Sequence, residues 1–225
     1  MTKPKLEKMS VHLTCREMDK AVPFYRDLLG FELLEAWPNM ENPQWARMVI
    51  NGQSVMLGTK GDIASVEKHY AGDEIAIRYW TRALTAFEEN ASGVGISVYL
   101  EVPNIDDYFG DVQRRGLKAE GEPRSQFYGI REWGVDDMDG YRLVFHTPIK
   151  LESCQSCGMP LSDAKEGQMY CEFCINEKGE LRPYEQVLEG TIAGYFMAMQ
   201  KMSREDAEPA AKEHLSKMPA WVCRS

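Results

Sequence analysis

The chain has 225 residues and is acidic, with 35 Asp and Glu against 26 Lys and Arg and a formal net charge of −9. Its apolar content of 44% can bury one core in a domain of about 150 residues and a smaller second core. No apolar run approaches about 18 residues and the start lacks the apolar segment of a secretory signal, so we expect no membrane span and a cytoplasmic protein. Both halves are acidic, which argues against a nucleic-acid surface.

The first 150 residues contain an internal repeat. Residues 10–13 read Ser-Val-His-Leu and recur at 97–100 as Ser-Val-Tyr-Leu, and each copy alternates in the manner of a strand. Each is followed by a helical pattern with one apolar face, over residues 19–29 and 105–115. Gly30 and Gly116 follow these patterns and predict the helix ends.

Further strand-like segments complete each copy of the repeat. They fall at 31–36, 45–50 and 54–59 in the first copy, and at 117–122, 129–135 and 141–147 in the second. Asn-Gly at 51–52 and Asp-Gly at 139–140 predict tight turns between the last two strands of each copy. We therefore predict an α+β fold in which two tandem βαβββ modules form a concave sheet cleft.

Residues 60–95 are longer than a simple connection between modules, and long inserts in compact domains are often functional. We expect a short strand and a helix here. The segment could form a lid over the cleft, a homodimer contact, or a surface helix packed on its own chain.

Four cysteines form two Cys-x-x-Cys pairs, Cys154 with Cys157 and Cys171 with Cys174, separated by thirteen residues. Four thiolates at this spacing can close a tetrahedron around one structural Zn²⁺. Gly158 supplies the positive φ that the chain often needs after such a turn. Two redox pairs, two disulfides and an iron–sulfur centre are the alternatives.

Two helical patterns follow the cysteines. Residues 184–202 place apolar side chains at three- and four-residue intervals, and this Met-rich face could pack on the rest of the chain or bind a partner. Ser203 and Asp206 predict the start of a second helix that runs towards Lys217, with Pro209 inside it.

The repeat resembles a known superfamily. The segment 19–31, DKAVPFYRDLLGF, and the segment 128–145, YGIREWGVDDMDGYRLVF, are similar to the vicinal oxygen chelate superfamily over roughly residues 7–148. That superfamily holds glyoxalase I, extradiol dioxygenases, fosfomycin-resistance enzymes and bleomycin-resistance proteins. Residues 153 to about 220 resemble a zinc-ribbon domain found at the ends of some bacterial and archaeal proteins. We therefore expect one domain over 1–150 and a zinc ribbon with a helical tail over 151–225.

The resemblance implies where a metal would be bound. Metal-dependent members of the superfamily place His, Gln or Glu on the first and last strand of each module, facing the cleft. The matching positions here are Ser10, Met56, Ser97 and Val144, none of which is a good ligand for a divalent ion. We therefore expect a metal-free cleft.

His12 and His146 lie two residues beyond two of these positions and share their strand parity, so they face the same side. A displaced metal site that uses them as catalytic residues is the alternative to two hydrogen-bonded pocket histidines.

The sequence favours a binding protein for an unidentified small molecule, with aromatic walls and arginine anchors. The candidate ligand-binding residues are Trp45, Arg47, Tyr99, Tyr128, Arg131 and Trp133. The alternatives are a lyase, isomerase or dioxygenase of the same superfamily and a regulator that acts through the zinc ribbon, although that segment is acidic as well. We expect no nucleic-acid partner and no membrane partner.

Overall fold

The computed structural model describes residues 10–89, 93 and 95–222. The chain divides into two compact units. The first consists of Met1–Pro123 and Trp133–His146, and the second of Arg124–Glu132 and Thr147–Ser225. No helix in the described ranges is both long and apolar enough to cross a bilayer.

The first module has the predicted order of elements. Its sheet has the strand order β1-β4-β3-β2, in which β1 runs parallel to β4 and the other neighbours are antiparallel. The Asn51-Gly52 turn between β3 and β4 adopts positive φ angles of 48° and 76°, as the dipeptide predicts. The elements are β1 (Val11–Cys15), α1 (Met18–Pro23), a π-helical turn (Phe24–Leu28), β2 (Glu32–Trp37), β3 (Trp45–Ile50) and β4 (Gln53–Thr59).

The helix of this module changes its hydrogen-bond pattern at Pro23, which has no N–H to donate. The following turn widens, and the amide of Leu29 donates to the carbonyl of Phe24, five residues earlier, at 3.1 Å. Gly30, with φ of 78°, then ends the helix as predicted.

The insert between the modules consists of two helices, α2 (Ile63–His69) and α3 (Glu74–Glu89). The predicted short strand is wrong. Apolar residues recur at helical intervals through the segment, and the last two of them, Leu84 and Phe87, are buried. Arg16 holds the end of α3, because its guanidinium lies over the Phe87 ring and donates to the Phe87 carbonyl at 2.9 Å.

The second module repeats the topology, with the strand order β5-β8-β7-β6 and β5 parallel to β8. The prediction of a strand at 117–122 is wrong, because the corresponding strand has two residues only. Gly121 has a φ of 69° and Pro123 lacks an N–H, so neither continues a ladder. The elements are β5 (Ser97–Glu101), α4 (Ile105–Arg114), β6 (Arg124–Ser125), β7 (Ile130–Asp136) and β8 (Arg142–Pro148).

A buried polar network joins the two modules within the first unit. The hydroxyl of the buried Tyr25 donates to Asp137 at 2.9 Å, and the same carboxylate accepts the amides of Asp139 and Tyr141. Asp139 in turn forms a 3.0 Å ion pair with Arg16. Burial raises the pKa of Asp137, and these three hydrogen bonds partly offset that effect. The network therefore connects the β7–β8 turn to the segment between β1 and β2.

The second unit contains the cysteine segment and three helical segments. Ser203 caps the last helix as predicted, since its hydroxyl accepts the amide of Asp206 at 3.2 Å. Thr191 marks the point where the preceding helix changes from α to π pattern. The elements are a 3₁₀ turn (Glu172–Cys174), α5 (Tyr184–Gly190), a π-helix (Thr191–Met199) and α6 (Arg204–Ser216).

Candidate functional site

The four cysteines at 154, 157, 171 and 174 form one cluster, with all their sulfurs within 4.8 Å of one another. Zn–S bonds of about 2.3 Å would place the sulfurs of a tetrahedral site about 3.8 Å apart. The Sγ atoms of Cys157 and Cys171 are 3.7 Å apart, which matches this edge and is far too long for a disulfide bond. The four described cysteines of the cluster are free thiols in a geometry that fits a tetrahedral metal ion.

The backbone of each turn brings its two sulfurs together. The amide of Gly158 donates to the carbonyl of Cys154 at 2.8 Å, and Gly158 adopts the predicted positive φ of 77°. The amide of Cys174 donates to the carbonyl of Cys171 at 3.0 Å. The amide of Cys171 also points at the Cys154 sulfur, 3.3 Å away, and favours its thiolate form.

The sulfurs perturb one another's protonation. Hydrogen bonds from Cys157 and Cys174 lower the pKa of Cys154, and the same contacts raise the pKa of Cys157 and of Cys174. Adjacent thiolates repel one another, so the cluster holds protons until a cation replaces them.

The C-terminal segment holds the first cysteine turn in place. Three successive carbonyls, those of Gln155, Ser156 and Cys157, are within hydrogen-bond distance of a group near the end of the chain. Their partners are the amide of Ala220 at 3.1 Å, the indole N–H of Trp221 at 2.9 Å and the ring nitrogen of His214 at 2.9 Å. The core beside the cysteines adds Val187 and Leu215, so the helical tail and the cysteine turns form one cluster.

The first sheet has one face packed on α1 and one face turned away from it. We call the second the open face of the first sheet; it carries His12, Arg47 and Met56, because the alternate residues of each strand lie in the core. His12 and Met56 are paired in the β1–β4 register. The imidazole of His12 lies over Gly58, where any Cβ atom would collide with it. Partial burial lowers the pKa of His12.

Aromatic and charged residues continue this face. Trp45 is paired with Trp37 across β2 and β3, and the Trp37 side chain is 62% exposed. The guanidinium of Arg47 lies 3.1 Å from the carboxylate of Glu35, while its Nε is buried without a hydrogen-bond partner. The face therefore offers stacking surfaces beside a guanidinium with one unused donor.

The second sheet has a corresponding open face with Ser97, Tyr99, Val144 and His146. Tyr99 is paired with Val144 in the β5–β8 register, and its ring lies 5.9 Å from the ring of His146. Tyr99 is 52% exposed, whereas Nδ1 of His146 is buried and has no partner. The equivalent positions of the two modules thus hold His12 over glycine and Tyr99 beside histidine.

Of the other predicted ligand-binding residues, one lies in the core of the first unit and two belong to the second unit. Trp133 is in the core, where it packs on Phe109 and Phe145 and donates to the carbonyl of Glu120 at 3.1 Å. Tyr128 and Arg131 belong to the second unit, where the Tyr128 hydroxyl donates to Glu132 at 2.8 Å. The structure therefore places Trp45 and Arg47 together on one open face and Tyr99 on the other.

The positions that correspond to metal ligands differ in their burial. Met56 is half-buried and Val144 is buried, whereas Ser10 and Ser97 are exposed. In the parts of the chain that the structure describes, the cysteine cluster is the only group of three or more close Cys, His, Asp or Glu ligands.

Two features of the open faces were missed by the sequence reasoning. Glu35 pairs with Arg47 on the open face because a bulge between Leu33 and Glu35 shifts the strand parity; without the bulge, Glu35 would face the core as Leu33 does. Gly58 provides the space for His12, and a glycine inside a predicted strand was the available signal.

Comparison with known proteins gives two family matches. The model described as "Glyoxalase/Bleomycin resistance protein/Dioxygenase superfamily" matches residues 9–145, and that described as "Putative zinc ribbon domain" matches residues 153–222. No curated protein sequence matches the chain.

Three solved structures illustrate the range of proteins to which this chain is similar. TioX from Micromonospora sp. ML1 is 21% identical, covers 63% of this chain and 98% of its own, and has a TM-score of 0.44. A glyoxalase/bleomycin resistance protein/dioxygenase from Nocardioides is 18% identical, with 74% and 91% coverage and a TM-score of 0.47. Lactoylglutathione lyase from Agrobacterium tumefaciens is 17% identical, with 64% and 96% coverage and a TM-score of 0.44. The first family match spans more than half of the sequence, and the chain therefore belongs to the glyoxalase/bleomycin resistance protein/dioxygenase superfamily, with a zinc-ribbon domain after that domain.

Proposed function

We propose that the chain binds an organic small molecule on the open faces of its first unit without the help of a divalent metal. The observation that carries this proposal is the set of residues at the four positions where metal-dependent relatives keep their ligands. Met56 offers a thioether and Val144 an alkyl group, and neither replaces an imidazole or carboxylate for a hard or borderline cation. Ser10 and Ser97 add only neutral hydroxyls.

The same faces carry groups that suit an organic ligand. Trp37, Trp45 and Tyr99 present aromatic rings, and Met56 adds an adaptable apolar surface. Arg47 supports binding of an acidic or carbonyl group, because its positively charged side chain is 39% exposed on the open face of the first sheet. The ligand class we propose is therefore a flat, partly apolar molecule with a carboxylate or carbonyl.

The second unit, in this proposal, holds one structural Zn²⁺ through Cys154, Cys157, Cys171 and Cys174. Four sulfurs leave no open coordination position for a substrate, so the ion supports folding rather than catalysis. Cysteines that are not joined in disulfide bonds persist in a reducing compartment, which supports a cytoplasmic location. The insert helices α2 and α3 are exposed enough to support a homodimer contact, with Ile75 73% exposed.

The test is a fluorescence titration of the zinc-loaded full chain with a panel of aromatic carboxylic acids and their matched amides. Arg47→Gln should weaken the acids by roughly tenfold or more, since it removes a charge-assisted hydrogen bond. Arg114→Gln, an equally conservative change on the exposed end of α4, should leave the affinities unchanged. The proposal is contradicted if binding requires an added divalent metal and is lost with a chelator.

A second candidate is an enzyme of the same superfamily with a displaced metal site. Two observations favour it: Nδ1 of His146 is buried without a partner, and the lowered pKa of His12 keeps its imidazole neutral and able to bind a metal. A pair of imidazoles still lacks the third protein ligand of an ordinary catalytic site. Retention of a second metal ion that depends on both histidines would favour this candidate.

A further inference from the structure

A cavity of about 320 Å³ lies beside the cysteine cluster, wholly within the second unit. Its walls come from the chain after the first cysteine turn and from the 3₁₀ turn that contains the second pair. Met159 and Phe173 stand at its edge and are 40% and 65% exposed, while Ala164 and Cys171 are buried at its wall. Met159 and Phe173 both line this cavity, and adjoining exposed apolar side chains often mark a contact surface.

The cavity is acidic as well as apolar. Asp163 and Glu172 line it, and neither carboxylate forms an ion pair or hydrogen bond with another described residue. With Zn²⁺ bound, the four thiolates of the cluster that includes Cys171 would add to this charge, because such a centre carries a net charge of −2. Residues 151–225 hold 12 Asp and Glu against 8 Lys and Arg, and the basic residue nearest to Asp163 in sequence, Lys165, is exposed and does not line the cavity. The cavity therefore attracts a cation.

The size and shape of the cavity limit the kind of group that can bind in it. The cavity is open to solvent over much of its surface, so it suits a side chain presented by a partner better than an enclosed small molecule. A lysine or arginine side chain combines an apolar stem with a charged head, and it buries the stem on apolar walls while the head meets acids. Phe173 can additionally bind the cation through its ring face.

We propose that this cavity docks a lysine or arginine from a basic segment of a partner protein. The stem of that residue packs on Met159 and Leu161, and its charged head lies between Asp163 and Glu172. The ribbon thereby recruits a basic protein segment, which is separate from the ligand-binding role proposed for the first unit. The acidic charge makes the occupant a basic peptide rather than a nucleic acid.

The experiment uses zinc-loaded full chain and a fluorescent peptide, acetyl-Gly-Ser-Gly-Lys-Leu-Lys-Gly-Ser-Gly, with fluorescence anisotropy as the readout. Peptides in which Glu or Gln replaces both lysines test the charge. The chain variant Asp163→Asn with Glu172→Gln removes the cavity acids. Glu166→Gln with Glu177→Gln is its control, because it changes the same net charge at two acids that are exposed like Asp163 and Glu172 but do not line the cavity.

The Lys peptide should bind, and the cavity variant should weaken it roughly fivefold, because it removes two exposed charge pairs beside an apolar contact. The control variant and wild type should agree within about twofold, because dispersed surface charge contributes little. Phe173→Ala should also weaken binding while zinc content stays at one equivalent, since this side chain is exposed.

Three results would overturn the proposal. The Lys peptide could fail to bind, the Glu peptide could bind equally well, or the cavity and control variants could lose the same affinity. The last result would show that only the overall negative charge attracts the peptide.

Discussion

Replacing Cys171 by serine should unfold residues 151–225 and leave the first unit intact. Cys171 is one of four sulfurs in the cluster, and a neutral hydroxyl is a poor ligand for the borderline-soft Zn²⁺. Among the described residues, the core around the cysteines has two other buried side chains, Val187 and Leu215, and a second small core consists of Ile192, Ala207 and Ala211.

The free-energy contributions show why folding of the second unit depends on the metal. Burial of Val187 and Leu215 contributes together about 3–6 kcal/mol, whereas a structural zinc site contributes an apparent 10–16 kcal/mol or so to folding. Loss of the metal removes the larger contribution. The first unit has its own continuous core around Tyr25, Leu57 and Phe145, which the change does not touch.

The assay combines zinc content by elemental analysis with limited trypsin digestion and circular dichroism. The Cys171→Ser chain should contain little zinc and should be cleaved rapidly after Lys165 and Lys178, while a protected fragment of the first unit persists. Cys223→Ser, a cysteine outside both Cys-x-x-Cys pairs, is the control and should keep one zinc. A Cys171→Ser chain with a protease-resistant, helical tail would refute the reasoning.

Asp137→Ala should lower the free energy of unfolding by about 2–4 kcal/mol in urea titrations, because it leaves two buried amides and the Tyr25 hydroxyl without their acceptor; an unchanged midpoint would contradict this. Burial lowers the pKa of His12 below 6.5, so its contribution to stability is present above pH 6.5 and is lost as the pH falls through the lower pKa. The chain with His12→Gln should therefore lose less stability between neutral and mildly acidic pH, and parallel pH profiles would refute the point. Duplex DNA should not bind residues 151–225 in the full chain, and salt-dependent, submicromolar binding would count against the charge argument.

Local patterns predicted most of the fold. The Asn51-Gly52 dipeptide located the β3–β4 turn, and the apolar faces after Met18 and Ile105 located both module helices. The predictions failed where tertiary contacts, or glycine and proline residues, determine the secondary structure. The segment 117–122 has strand-like composition, yet Gly121 and Pro123 prevent a ladder, and α3 is helical over a stretch that the sequence reasoning divided into strand and helix.

The cysteine ligands could be predicted because each pair is local and its spacing sets the geometry. The residues of the open faces were harder to predict. Trp133 lies in the core because it packs on Phe109 from α4, a contact between distant residues that composition does not reveal. Glu35 escaped notice because the bulge before it reverses the strand parity.

The most direct test of the central claim is a count of the metal ions bound to the full chain. Zinc content is measured after purification without chelator, followed by calorimetric titration with Zn²⁺, Mn²⁺, Fe²⁺ and Ni²⁺, in wild type and in His12→Ala and His146→Ala chains. The account predicts one zinc per chain, held by the four cysteines, and no further tight site in any of the three proteins. A second ion bound at micromolar affinity or tighter, and lost in both histidine variants, would contradict the metal-free binding faces and would favour a displaced catalytic site.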